Sequence, residues 1–158
     1  MRSVSSGTEL IERYLLARGR RYFRGHHDGE YFFIVTVGHE RLHVHLEISP
    51  ADRDTLTVRI TPAYFFPATD RARLLQFADK WNRPDRRATA IVYESCDQTR
   101  VGVAVQASYS LAPDVAFGEF ADMADETIRS AVQLFTEMIP AAEPRPARPL
   151  GTWLRDAG

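Results

Sequence analysis

At 158 residues the chain has the length of one domain, enough to bury about 70% of the surface its unfolded form exposes, so no metal or disulfide is required for folding. Its 44% hydrophobic and 26% charged residues exclude a disordered, collagenous or coiled-coil protein. Twenty basic against twenty-one acidic side chains, a net charge of −1, exclude a strong overall field for nucleic acid or anionic membrane.

Leu10, Ile11, Tyr14 and Leu15 share one helical face behind a Ser/Gly/Thr start, which predicts a first helix near 6–18 stopped at Gly19. Arg20 to Arg24 reads as a short strand followed by the turn His26-His27-Asp28-Gly29. Then Tyr31, Phe33, Val35 and Val37 alternate with Phe32, Ile34 and Thr36, while Leu42, Val44, Leu46 and Ile48 alternate with Arg41, His43, His45 and Glu47. Gly38-His39 between these runs suits a two-residue type II′ hairpin with Val37 opposite Glu40. That register puts Phe33 opposite Val44 and Tyr31 opposite Leu46, so both apolar rows fall on one sheet face. A one-residue slip would turn every side chain over.

Leu56, Val58 and Ile60 continue the meander, and the Pro62–Pro67 segment ends its regular pairing. Thr69 or Asp70 is expected to cap a second helix carrying Leu74, Ala78 and Trp81 on one face, closed by Asn82 and Pro84. Two strands follow, Thr89–Glu94 and Arg100–Leu111, with a turn at Asp97-Gln98. A last helix from Phe117 to Met138 places Phe120, Ala124, Ile128, Ala131 and Phe135 at helical spacing. The expected class is α+β, an antiparallel sheet of five or six strands with packed helices in the order α-β-β-β(-β)-α-β-β-α. Residues 5–139 form one domain in this reading, and Pro140, Pro144, Pro146 and Pro149 make 140–158 an extended tail.

His39-Glu40-Arg41-Leu42-His43 matches H-E-x-x-H, the signature of a zinc-dependent hydrolase. That chemistry needs both imidazoles on one helical turn. Here the flanks alternate with period two, and positions four apart on a strand lie about 13 Å from each other. His43, His45 and Glu47 form a better row of ligand types, but Arg59 on the neighbouring strand opposes a dication there. The row is therefore read as the polar outer face of a half-buried sheet, with no metal, cofactor or catalytic residue assigned.

Phe32 and Ile34 share that outer face, opposite His45 and His43. Leaving them in water forgoes about 1.5–3 kcal/mol of burial apiece, which calls for a cover: the tail, a helix or another chain. The candidate partner surface is Phe32, Ile34, His43, His45, Arg59 and Trp81. Arginines 18, 20, 21 and 24, and again 83, 86 and 87, lie near aromatics and raise the alternative of a nucleic-acid module. Against it, six acids between Asp114 and Glu137 can balance them internally. A single cysteine, Cys96, and an N-terminus without an apolar stretch point to a cytoplasmic protein.

The stretches Phe77-Ala78-Asp79-Lys80-Trp81-Asn82 and Ser95-Cys96-Asp97-Gln98-Thr99-Arg100-Val101 resemble the YbjN-like family in its actinobacterial form, departing from it at Ala78, where the family often carries Asn. The resemblance spans about residues 8–139. It implies a type III secretion chaperone-like fold in a family of proposed sensory-transduction regulators, with no established catalytic residues. The reading overall is a non-enzymatic module binding a protein partner or a second copy of itself, with no membrane partner and with an Arg-cluster nucleic-acid module as the alternative.

Overall fold

The computed structural model describes residues 6–138. Helix α1 (Gly7–Ala17) starts where Ser6 Oγ accepts the Glu9 N–H at 3.2 Å, and it stops where Gly19 takes a left-handed φ of +62°. The Gly19 and Arg20 amides donate back to Leu16 and Leu15, satisfying carbonyls left over at the helix end.

Strands β1 (Tyr22–Arg24), β2 (Glu30–Val37), β3 (Glu40–Ile48) and β4 (Thr55–Pro62) form an antiparallel meander. The hairpin register is the one its turn predicts: Val37 faces Glu40, Phe33 faces Val44 and Tyr31 faces Leu46. At the turn only Gly38 has positive φ, +61°, as a type II′ turn requires of its first central residue. Strand β7 (Arg100–Ser110) is the long central element. One of its edges pairs with β4 and with β5 (Phe66–Pro67), and the other pairs with β6 (Thr89–Glu94).

The sheet thus has seven strands rather than five or six. The extra one, β5, is two residues long and lies in the proline-bounded segment where pairing was expected to end. Burial of Phe66 brings its backbone beside Val101, a tertiary effect with no local pattern. The first strand is also shorter than expected, starting at Tyr22.

Helix α2 (Arg71–Trp81) follows a 3-10 turn over Ala68–Asp70. Neither expected cap operates as such. Asp70 is at the N-cap but lies at φ −91° and ψ 1°, turn geometry rather than the extended backbone a capping side chain needs, and it makes no cap hydrogen bond. The Pro-rich stretch 140–158 lies outside the described residues.

All three helices bury their apolar stripes on the same side of the sheet. Helix α3 (Phe117–Met138) crosses β4 and β7, flanked by α1 and α2, and Phe120, Ala124, Leu134, Phe135 and Met138 close the core. Thr127, buried within it, exchanges a 2.6 Å hydrogen bond with the Tyr109 hydroxyl and donates to the Met123 carbonyl.

Helices α1 and α3 are tied at their rims by Asp125. It accepts 2.6 Å bonds from the Tyr14 hydroxyl and from the Arg18 guanidinium. Burial works to raise the Asp125 pKa, but these two donors outweigh it and hold the carboxyl below its ordinary value. A pKa lower in the folded than in the unfolded state stabilises above the ordinary carboxylate range and is lost as pH falls through the folded value. Asp125→Asn should therefore lower stability at neutral pH and flatten the decline seen on acidification, as read by denaturant midpoints at a series of pH values.

Candidate functional site

The face opposite the helices is built by the same alternation that builds the core. The paired strands place Phe23, Phe32, His45, Arg59 and Gln106 in one row across five strands, with Ile34, His43 and Thr61 in the next row. Phe32 lies opposite His45 and Ile34 opposite His43, as the hairpin register predicts. No helix among the described residues covers this end: Phe23 is 63% exposed and Phe32 40%.

The Phe32 ring lies flat on the His45 imidazole, with centroids 4.5 Å apart and planes at 11°. His43 is half-buried beside them, and that burial lowers its pKa, favouring the neutral ring. Phe23 was not among the sequence-derived candidates. Its strand was legible, but the connection Gly25–Gly29 is too long for turn type to set the register.

Two candidates sit differently from the rest. Trp81 is only 4% exposed and belongs to the core, since α2 turns it inward with Leu74 and Ala78. Its ring carries the Arg86 guanidinium at 4.4 Å. Arg59 is on the outer face but leans away from His45, its guanidinium 5.0 Å from the Tyr93 ring and 3.4 Å from the Gln106 side-chain oxygen.

The H-E-x-x-H residues are not on a helix. His39 is exposed in the hairpin turn, while Glu40 and His43 are on β3. Several of the clustered arginines are engaged within the fold: Arg18 pairs with Asp125, Arg24 with Glu12, and Arg87 lies over Tyr109.

What the structure does assemble is a set that sequence reasoning split apart. His45 and Glu47 on β3 meet Glu30 at the start of β2 and His27 in the preceding loop. Nε2 of His27 is 3.5 Å from Glu30 and 3.8 Å from Glu47, and Nε2 of His45 is 3.4 Å and 3.7 Å from the same two carboxylates. The His26 N–H donates to Glu30 Oε1 at 3.0 Å, which turns Oε2 toward the imidazoles. Burial acts to raise the Glu30 pKa, but the His26 amide and the two histidines prevail and leave it below its ordinary value. A signal for this set was present, because the hairpin register already puts Glu30 opposite Glu47. His27 could not be added, because loop geometry is not periodic.

A crystal structure of YbjN from E. coli, described there as a proposed transcription regulator, superposes with a TM-score of 0.65 over 86% of this chain and 94% of that one. The fold is YbjN-like. Sequence identity to YbjN is 12%, so the likeness is one of architecture. An uncharacterised protein from Methanothermobacter thermautotrophicus shares the fold more loosely, with a TM-score of 0.55 and 9% identity over 84% of this chain and 96% of that chain. No protein-family model and no curated protein sequence matches the chain. Among the described residues no helix is long and apolar enough to cross a membrane.

Proposed function

We propose that the chain is a non-enzymatic cytoplasmic module of regulatory or adaptor type, which binds a protein partner through the outer face of β1, β2 and β3. The carrying observation is the cross-strand pair Phe23 and Phe32, exposed side by side on a sheet face without a helix over it. Ile34 extends the apolar strip, and Thr36, Thr57 and Thr61 give it a polar surround. An apolar centre with a polar rim is the anatomy of a protein interface. The imidazoles of His43 and His45 add hydrogen-bonding specificity at its centre. A YbjN-like fold, seen in a proposed regulator, is in keeping with this role.

The nucleic-acid alternative has less support, because Arg86 and Arg87 already cover Trp81 and Tyr109. Phe32→Asp combined with Ile34→Asp should weaken capture of the partner roughly 30-fold or more, on the scale of an interface hot spot. Its thermal midpoint should stay close to that of the parent, because both residues lie outside the core. A protein that captures the same partner at the same yield would overturn the outer-face reading. A parent that sediments as a dimer and a double variant that is monomeric would make the partner a second copy of this chain.

A further inference from the structure

Two carboxylates directly opposite each other on one sheet face repel, and such a pair is destabilising unless a cation lies between them. Glu30 and Glu47 are such a pair, both half-buried, and both are flanked by the Nε2 atoms of His27 and His45. We propose that His27, Glu30, His45 and Glu47 form a binding site for a first-row divalent metal ion, with zinc preferred.

Donor chemistry favours this. Two imidazoles with two carboxylates suit zinc, and four ligands on tetrahedral bonds of 2.0–2.1 Å stand about 3.4 Å apart. The nitrogen–oxygen separations here run from 3.4 to 3.8 Å, close to that spacing, and His45 is the ligand that has to move in to close the shell. The atoms contributed by His27, Glu30 and Glu47 all lie within 4.8 Å of one another. Nε2 of His45 is shielded from solvent and directed at the Glu30 and Glu47 carboxylates, at 3.4 and 3.7 Å.

The surroundings support the same site. The His26 amide fixes Glu30 from behind, an outer-shell contact of the kind that orients metal ligands. Stacking on Phe32 fixes the His45 ring. Arg59, the cation that the strand pattern placed against a metal, is directed toward Tyr93 and Gln106 instead. His27 must change tautomer: its Nδ1 accepts the Gly29 N–H at 3.3 Å, so its Nε2 carries a proton that the metal displaces. That bond is long, and ligation replaces it.

The test uses the full chain stripped of metal with a chelator, then titrated with zinc chloride by calorimetry and thermal unfolding. One zinc per chain is expected, with the unfolding midpoint raised by about 5–10 °C at a hundredfold excess of zinc over the dissociation constant. His45→Ala and Glu30→Gln should each weaken binding roughly tenfold or more. His39→Ala, in the hairpin turn and outside the set, should bind as the parent does. Glu30→Gln removes the carboxylate that the His26 amide and both imidazoles face, and should lose the response to zinc while remaining folded. Zinc binding that survives Glu30→Gln and His45→Ala, or a midpoint that zinc does not move, would overturn the proposal and leave an imidazole–carboxylate ion-pair cluster.

Discussion

Trp81→Ala is expected to destabilise the protein by about 3–5 kcal/mol, the range for deleting a large aromatic from a close-packed core. The ring is 4% exposed in the cluster that joins α2 to the sheet and to α3. Its removal leaves a cavity that backbone elements on three sides hold open, and it strips Arg86 of the surface beneath its guanidinium. The indole N–H is buried without a hydrogen bond to a described residue, so Trp81→Phe gives up volume but also an unpaired donor. That substitution should cost less than about 1.5 kcal/mol. Urea unfolding of the two variants checks both values. A Trp81→Ala loss within about 0.5 kcal/mol would overturn its placement in the core.

Asn82→Ala carries the second largest expected loss, about 2 kcal/mol, because it uncovers two backbone groups at once. Strand β6 is an edge of the sheet, and the Asn82 amide lies along it as a neighbouring strand would. Its Nδ2 donates to the Ala90 carbonyl at 3.0 Å, and its Oδ1 accepts the Ala90 N–H at 2.7 Å. A primary amide has the donor and acceptor spacing of a peptide unit, so one side chain satisfies the edge and blocks strand addition there. Asn82→Asp is the informative companion. It keeps the acceptor but faces the Ala90 carbonyl with a second oxygen, and should be no more stable than Asn82→Ala. Melting midpoints several degrees below the parent for both are the expected result, and an unshifted Asn82→Asp would disprove the two-bond account.

These two residues form the Trp-Asn ending of the middle helix that carries the family resemblance, and both now have structural work. Trp81 anchors α2 from inside and Asn82 stops the helix by engaging β6. The motif is architectural, which is why it indicates a fold and points to no chemistry.

Legibility followed periodicity. Helices α1 and α3 and the β2–β3 hairpin could be read to within a residue or two, because each repeats an apolar position at its own period over several turns or pleats. The outer-face pair Phe32 and Ile34 followed from the hairpin register, since two-residue turns leave no freedom. Strand β5, the 3-10 entry to α2 and the outer row's Phe23 could not be read, since a loop or a distant strand decides each. The H-E-x-x-H string could be set aside on the same ground: a motif's residues converge only in the secondary structure that the motif assumes, and here the flanks alternate with the period of a strand.

From the sequence alone come the α+β class, the order of its main elements, the inward and outward rows of β2, β3 and β4, and an uncovered need at Phe32 and Ile34. Local period and turn chemistry suffice for these, because they involve residues near one another in the chain. Tertiary structure alone decided that the three helices share one side of the sheet and that His27 joins Glu30, His45 and Glu47. These depend on where separate elements meet in space, and that is fixed by how the whole core packs.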